Sequence, residues 1–186
     1  MLNTQPRPRE CAQCKSWFTP QRMGAKVCSP RCASKFVRAQ HDAEKAEFKK
    51  RKEAAKPRGK LIAEAQAAFN LFIRTRDAGL PCICCGQPFE PEKPGGSADA
   101  GHYLSRGSAP HLRFDENNCF AQRKNCNRPG GTTRQAFRAG VVARIGLEAV
   151  EALEADTSVK KWTADDLREI KKTYAAKARA LRKEME

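Results

Sequence analysis

Residues 81–131 read PCICCGQPFEPEKPGGSADAGHYLSRGSAPHLRFDENNCFAQRKNCNRPGG, and this stretch decides the fold. It opens with Cys82-x-x-Cys85, a spacer that lets two thiolates reach one tetrahedral ion from a tight turn. Asp99-Ala100-Gly101-His102-Tyr103 follows, then Asn118, and finally Cys126-Asn127. Histidine is scarce: only His41, His102 and His111 are present, so an imidazole titrating near neutrality has few places to be. The pattern predicts a knuckle over 82–89, a loop over 88–96 and a strand over 98–105. A short helix is expected over 115–128, ended by Pro129-Gly130-Gly131.

Working outward, Leu61, Ala65, Ala68, Phe69, Phe72 and Ile73 recur at helical spacing, and Gly79 with Pro81 stops the run. This predicts an amphipathic helix over 61–78 packed on the central unit. On the other side, Phe137, Val141, Val142, Ile145, Leu147, Val150 and Leu153 form an apolar stripe interrupted by Gly140 and Gly146. A last helix should start at Thr163, with Asp166 in the capping position three residues on. It carries Leu167, Ile170, Tyr174, Ala178 and Leu181 inward and Lys171, Lys172, Lys177, Arg179 and Arg182 outward. The expected class is α+β and mostly helical.

Towards the N-terminus, Cys11-x2-Cys14-x13-Cys28-x3-Cys32 supplies four soft ligands in a segment too small to fold on a core of its own. A structural Zn²⁺ would stabilise it directly. Between 33 and 60 lies a charged stretch with almost no apolar period, including Lys49-Lys50-Arg51-Lys52 and ending at Pro57-Arg58-Gly59. From Lys35 to Lys60 it has 10 basic residues against 4 acidic, which fits a solvated connector or an arm that tracks phosphates. His41 in this run has no ligand-type neighbour and reads as a surface residue. The expected organisation is therefore a four-cysteine zinc unit over 1–32, a basic helical linker over 33–60, a core over 61–131 and a helical region over 132–186.

Lys plus Arg is 36 against 21 for Asp plus Glu in 186 residues, a formal charge of +15 with a pI near 9.7. That balance favours polyanions, nucleic acid first, because the basic residues are spread over several segments. No apolar run approaches the ~18–20 residues needed to cross a bilayer, and Met1–Arg9 lacks a signal-peptide core. A cytoplasmic protein without membrane partners is expected, and in that compartment nine cysteines read as metal ligands rather than disulfides.

Hydrolysis of a phosphodiester needs a base for water, a cation for the phosphate charge and neutralisation of the leaving oxygen. His102 suits the first role. A hard cation such as Mg²⁺ or Mn²⁺ takes oxygen ligands, which Asp99, Asn118 and Asn127 can supply. Arg106 and Arg113 would hold flanking phosphates, with Arg123, Lys124 and Arg128 extending the basic set. His111, after Pro110 in a loop, reads as exposed.

These residues resemble the HNH, or ββα-metal, endonucleases. Asp99-Ala100-Gly101-His102-Tyr103, Leu112-Arg113-Phe114-x-Glu116-x-Asn118 and Cys126-Asn127 are similar to the NinG (Rap) family of lambdoid phage recombination endonucleases. The four-cysteine unit, Phe72-Ile73-Arg74-x-Arg76-Asp77 before Pro81-Cys82, and Trp162-Thr163 extend the resemblance over nearly the whole chain. It implies a small ββα-metal nuclease core that cleaves D-loops and Holliday junctions with a divalent metal in the cytoplasm of the phage's host. His102 would be the general base, Asn127 a ligand of the catalytic metal, and Asn118 a residue that supports the base. Cys82, Cys85 and Cys126 would be structural zinc ligands.

The chain departs from that pattern twice. The residue before the histidine, often an Asp or His that binds metal, is Gly101; Asp99 is the nearest carboxylate, but in a regular strand 99 and 102 point to opposite faces. A bulge at Gly101 would bring them together. Arg123 stands where a fourth zinc ligand is expected, leaving Cys119 or Cys84 to replace it, or Arg123 to bind a phosphate or form a salt bridge. On a helix Cys119 and Cys126 would be ~10 Å apart, too far for one ion at Zn–S distances of ~2.3 Å, so loss of the second site is favoured. Symmetric cleavage of a junction would suit a homodimer. The competing functions are a non-catalytic zinc module that binds DNA and recruits recombination proteins, and a thiol redox protein using Cys82 and Cys85. The second lacks the alternating strand and helix pattern such a fold needs.

Overall fold

The computed structural model describes residues 7–90 and 98–185. The chain divides into two compact units, Met1–Lys56 and Pro57–Glu186. Part of the expected loop, residues 91–96, lies outside the described residues.

In the first unit, β1 (Arg9–Glu10) and β2 (Trp17–Phe18) form a two-stranded antiparallel ribbon. Helix α1 (Pro30–Ala54) begins with Ser29 accepting from Cys32 N at 3.2 Å and with Pro30 at its first position, where a missing N–H costs nothing. None of its 25 residues is buried, as a helix without an apolar stripe requires. His41 is exposed on it.

The second unit is built on α2 (Arg58–Arg76), which starts three residues before the expected helix. Its Leu61, Ala65, Phe69, Phe72 and Ile73 are buried against α5 (Ala164–Glu184), which contributes Leu167 and Ala178. Phe69 meets Tyr174 edge to face at 4.8 Å between centroids. The capping box of Thr163 and Asp166 is present in both directions. Lys171, expected to point outward, is half-buried and reaches back to Glu64 of α2 at 2.8 Å, and Lys177 pairs with Glu116 at 2.5 Å. The interrupted stripe becomes α3 (Arg134–Ile145) and α4 (Leu147–Ala155), separated at Gly146, whose φ of 87° favours glycine. Gly140 stays within α3.

Between these helices lies the hairpin of β3 (Ala98–His102) and β4 (Cys119–Arg123), paired antiparallel from Ala98↔Arg123 to His102↔Cys119 without interruption. Residues 115–128 are therefore not a helix. Only Glu116–Asn118 makes a 3-10 turn, with Asp115 accepting from Asn117 N, and the strand follows at once. Cys119, Phe120, Ala121 and Gln122 are 0–2 % exposed, so both faces of the strand are buried and no alternation of polar and apolar residues marks it. Ala100 and Cys119 pack on the α2–α5 side; Phe120 joins Ile83, Tyr103, Phe137 and Val141 on the other. The outer edge of β4 is held by the buried Asp77, whose carboxylate accepts from Ala121 N at 2.8 Å, and by Ile83 N on Ala121 O. Arg76 donates to Cys119 O and Glu116 O while pairing with Asp77.

Candidate active site and metal centres

His102 ends β3 with its ring 6.1 Å from that of Phe69. Its Nε2 lies 2.8 Å from Arg113 O. A carbonyl only accepts, so Nε2 carries the hydrogen and Nδ1 is left with a lone pair. Burial pushes the imidazole below 6.5, the Arg113 carbonyl opposes this, and the Arg106 and Arg113 charges add to the lowering. The ring is therefore neutral at pH 7, the state a base must be in. Cys119 Sγ is 3.7 Å from Nδ1.

The Arg113 carbonyl is delivered by the loop after β3, and Asn118 fixes that loop. Its Oδ1 accepts from Leu104 N at 2.8 Å, and its Nδ2 donates to Leu104 O at 3.0 Å and Leu112 O at 3.1 Å. Asn118 is 0 % exposed and its amide is committed to backbone, so its geometry is that of a clamp on the loop and not of a metal ligand.

An open cleft of about 420 Å³ runs along β3, lined by Asp99, His102 and Asn127 together with Arg106 and, from α2, Asn70 and Arg74. The structure thus brings together four of the residues the sequence singled out, Asp99, His102, Asn127 and Arg106. The ladder runs through Gly101 without the bulge that would bring Asp99 and His102 onto one face. Asp99 shares a face with Gly101, opposite to His102, and meets Asn127, whose Nδ2 donates to Asp99 Oδ2 at 3.2 Å. Sequence reasoning missed Asn70, Arg74 and Gln122, the cross-strand partner of Asp99. The helical spacing of Asn70 and Arg74 was a usable signal.

Among the basic residues, Arg106 is exposed at the cleft, and Arg113 also donates to Gln66 Oε1 at 3.2 Å. Arg123 forms a salt bridge with Glu90, one of the roles left open for it. Arg128 is exposed beyond the hairpin and Lys124 half-buried. His111 is half-buried rather than exposed, with Nε2 at 3.1 Å from Asp156 O.

Cys11, Cys14, Cys28 and Cys32 bring their sulfurs within 4.8 Å of one another. Neighbouring thiols push Cys28 up to about 12, while at Cys11 backbone N–H groups outweigh burial and hold it at about 6. Four crowded sulfurs of this kind fit a tetrahedral soft-metal site. In the second unit Cys82, Cys85 and Cys126 also lie within 4.8 Å. Burial, then the neighbouring thiols, push Cys126 up to about 12, and Arg123 N donates to Cys82 Sγ at 3.3 Å. Three thiols fit three corners of a zinc tetrahedron. Cys119 is not in this cluster, because it starts a strand on the His102 side. Cys84 is outside it too, accepting from Gln122 Nε2 at 2.9 Å. The helix rise that favoured loss of this site does not apply, since no helix joins Cys119 to Cys126.

No helix among the described residues is long and apolar enough to cross a membrane. No solved structure matches the chain. The family model described as "Bacteriophage Lambda NinG protein" matches residues 3–184. The chain is 35% identical to Protein ninG of Escherichia phage lambda, with 97% of each chain covered, and 36% identical to Protein ninG of Salmonella phage P22, with 91% covered. Protein ninG of Escherichia phage 933W is 36% identical, with 96% covered. A model match over nearly the full length and relatives above 30% identity along both chains place this protein in the NinG family.

Proposed function

We propose that the protein is a divalent-metal-dependent DNA endonuclease of the HNH type that cuts branched intermediates, D-loops and Holliday junctions, during phage recombination in the host cytoplasm. The observation that carries this reading is His102. It is neutral, its Nε2–H is committed to Arg113 O, and it lines one cleft with Asp99 and Asn127.

In this reading Nδ1 of His102 takes the proton from the attacking water, and burial keeps the imidazole unprotonated until it does so. Asp99 and Asn127 offer oxygen atoms, the donor set for Mg²⁺ or Mn²⁺. A cation bound there supplies charge neutralisation at the phosphate. Arg74 and Arg106 stand at the wall of the cleft, where flanking phosphates would be held. The cysteine clusters have structural roles only. Branch selectivity would come from DNA shape read by a basic surface, and paired cuts across a junction would call for two copies of the chain.

The test is incubation with labelled four-way junctions, D-loops and linear duplex in Mg²⁺, Mn²⁺ or EDTA. Metal-dependent cleavage of the branched substrates, lost in His102→Ala, is expected. Tight binding of junctions without cleavage in any metal would refute the enzyme reading in favour of a recruiting module.

A further inference from the structure

Gln122 is the buried polar residue that the fold leaves unexplained. It is 2 % exposed, and its Oε1 is buried without a hydrogen-bond partner among the described residues. Native structures rarely leave such an atom unmatched. A rotated amide does not remove the problem. The nitrogen end donates to Cys126 O at 3.2 Å, and a carbonyl can only accept, so Nε2 belongs there and Oε1 must point the other way.

That other way is Gly101. A Cβ at position 101 would lie 1.9 Å from Gln122 Oε1 and 3.2 Å from Asn127 Oδ1. Two carbonyl oxygens therefore crowd the spot that a side chain would take. Asp99, on the same face of β3 and paired with Gln122 across the ladder, adds a carboxylate hydrogen-bonded to Asn127. Oxygen dipoles converging without a donor between them repel one another, and a hard cation is what relieves such an arrangement.

We infer that Gln122 Oε1 belongs to the cradle of the catalytic cation. With Asn127 Oδ1 and the Asp99 carboxylate it replaces the ligand that the glycine at 101 cannot provide. This deepens the nuclease reading above and rests on it. It also accounts for the glycine, because any larger residue at 101 would displace the Gln122 oxygen. The nitrogen end of the same amide reaches Cys84 Sγ and Cys126 O, so one side chain joins the cleft to the three-cysteine cluster.

The test is Mn²⁺ titration of the full-length, zinc-loaded protein without DNA, followed by electron paramagnetic resonance of free Mn²⁺, with zinc content and thermal unfolding measured on every sample. Gln122→Met removes the oxygen at similar volume and should weaken Mn²⁺ binding ~10–100-fold, with zinc retained. Gln122→Glu should tighten it by adding charge to the cradle. Should the Met variant lose zinc or unfold, the Glu variant decides: tighter binding supports the inference, and unchanged or weaker binding overturns it. If Gln122→Met binds Mn²⁺ like wild type while Asp99→Ala does not, Gln122 is only structural and the nuclease reading stands. Wild-type protein that neither binds Mn²⁺ nor cleaves overturns both.

Discussion

Replacing Asn118 with aspartate separates a loop clamp from a metal ligand. The substitution exchanges Nδ2 for an oxygen that faces Leu104 O at 3.0 Å and Leu112 O at 3.1 Å, both acceptors. At 0 % exposure a carboxylate so placed takes up a proton instead of staying charged. Holding it protonated at pH 7, about three units above its ordinary value near 3.9, costs roughly 4 kcal/mol at 1.36 kcal/mol per unit. The single O–H that results reaches one carbonyl and not both, which adds about 1 kcal/mol. The deficit near 5 kcal/mol is a large share of a domain's ~5–15 kcal/mol, and corresponds to a Tm lower by roughly 10 °C or more.

The sign with pH follows from the raised folded-state pKa. The variant binds a proton when folded that it releases when unfolded, so its deficit against wild type grows as pH rises. Between pH 6 and 7.5 the slope should be about 1.4 kcal/mol per unit. Denaturant or thermal unfolding followed by circular dichroism, with wild type measured at each pH, reads this directly. Cleavage should fall below the Tm as well, because a loosened loop no longer holds the Arg113 carbonyl on His102. An Asn118→Asp protein with unchanged Tm, full activity and tighter Mn²⁺ binding would refute the clamp and make Asn118 a ligand.

His102→Ala should reduce cleavage ~10²–10⁴-fold and leave junction binding nearly intact, since affinity comes mainly from phosphate contacts; wild-type cleavage would remove His102 from the chemistry. Because the imidazole is pushed below 6.5, kcat/KM should rise with pH and level off with a midpoint below 6.5, and a midpoint above that value would contradict the burial argument. Metal analysis should find two zinc ions per chain, with Cys119→Ser keeping both and Cys126→Ser losing one. A count of one in wild type would mean that three thiols do not suffice. Arg138 and then Tyr103 hold Glu154 down at about 2, so the stability from this contact is present above pH 4.5 and lost as pH falls from 4.5 towards 2. Glu154→Gln should flatten that acid slope in unfolding experiments, and an unchanged slope would show the contact to be solvent-screened.

Helices α2 and α5 were legible in the sequence because each buries one stripe and solvates the rest, so the apolar period survives in the residue order. The four-cysteine clustering was legible because ligand spacing is local. β4 was not, since it is buried on both faces and only five residues long, too short to differ in pattern from a buried helix turn. The consequence reaches the metal site: a strand and a turn, not a helix axis, separate Cys119 from Cys126. Gln122 was equally hidden, as its significance lies in a glycine on the partner strand 21 positions earlier.

The parity of β3 shows how one local rule can be right in geometry and wrong in what it is asked to deliver. Alternation correctly sets Asp99 and His102 on opposite faces, and a bulge looked necessary only if base and cation oxygens had to share a face. The unbroken ladder offers another division. His102 sits on the α2 side, where Phe69 and the Arg113 carbonyl hold a neutral ring. Asp99, Asn127 and Gln122 lie on the other side, beside the three-cysteine cluster, where Gln122 Nε2 donates to Cys126 O. The cleft takes lining residues from both: Asp99 and Asn127 from one side, His102 with Asn70 and Arg74 of α2 from the other. A base and a cation on opposite sides of one strand can approach a phosphate in that cleft from two directions. In the proposed reaction the cleft, which gathers residues from both faces of the strand, is the working surface.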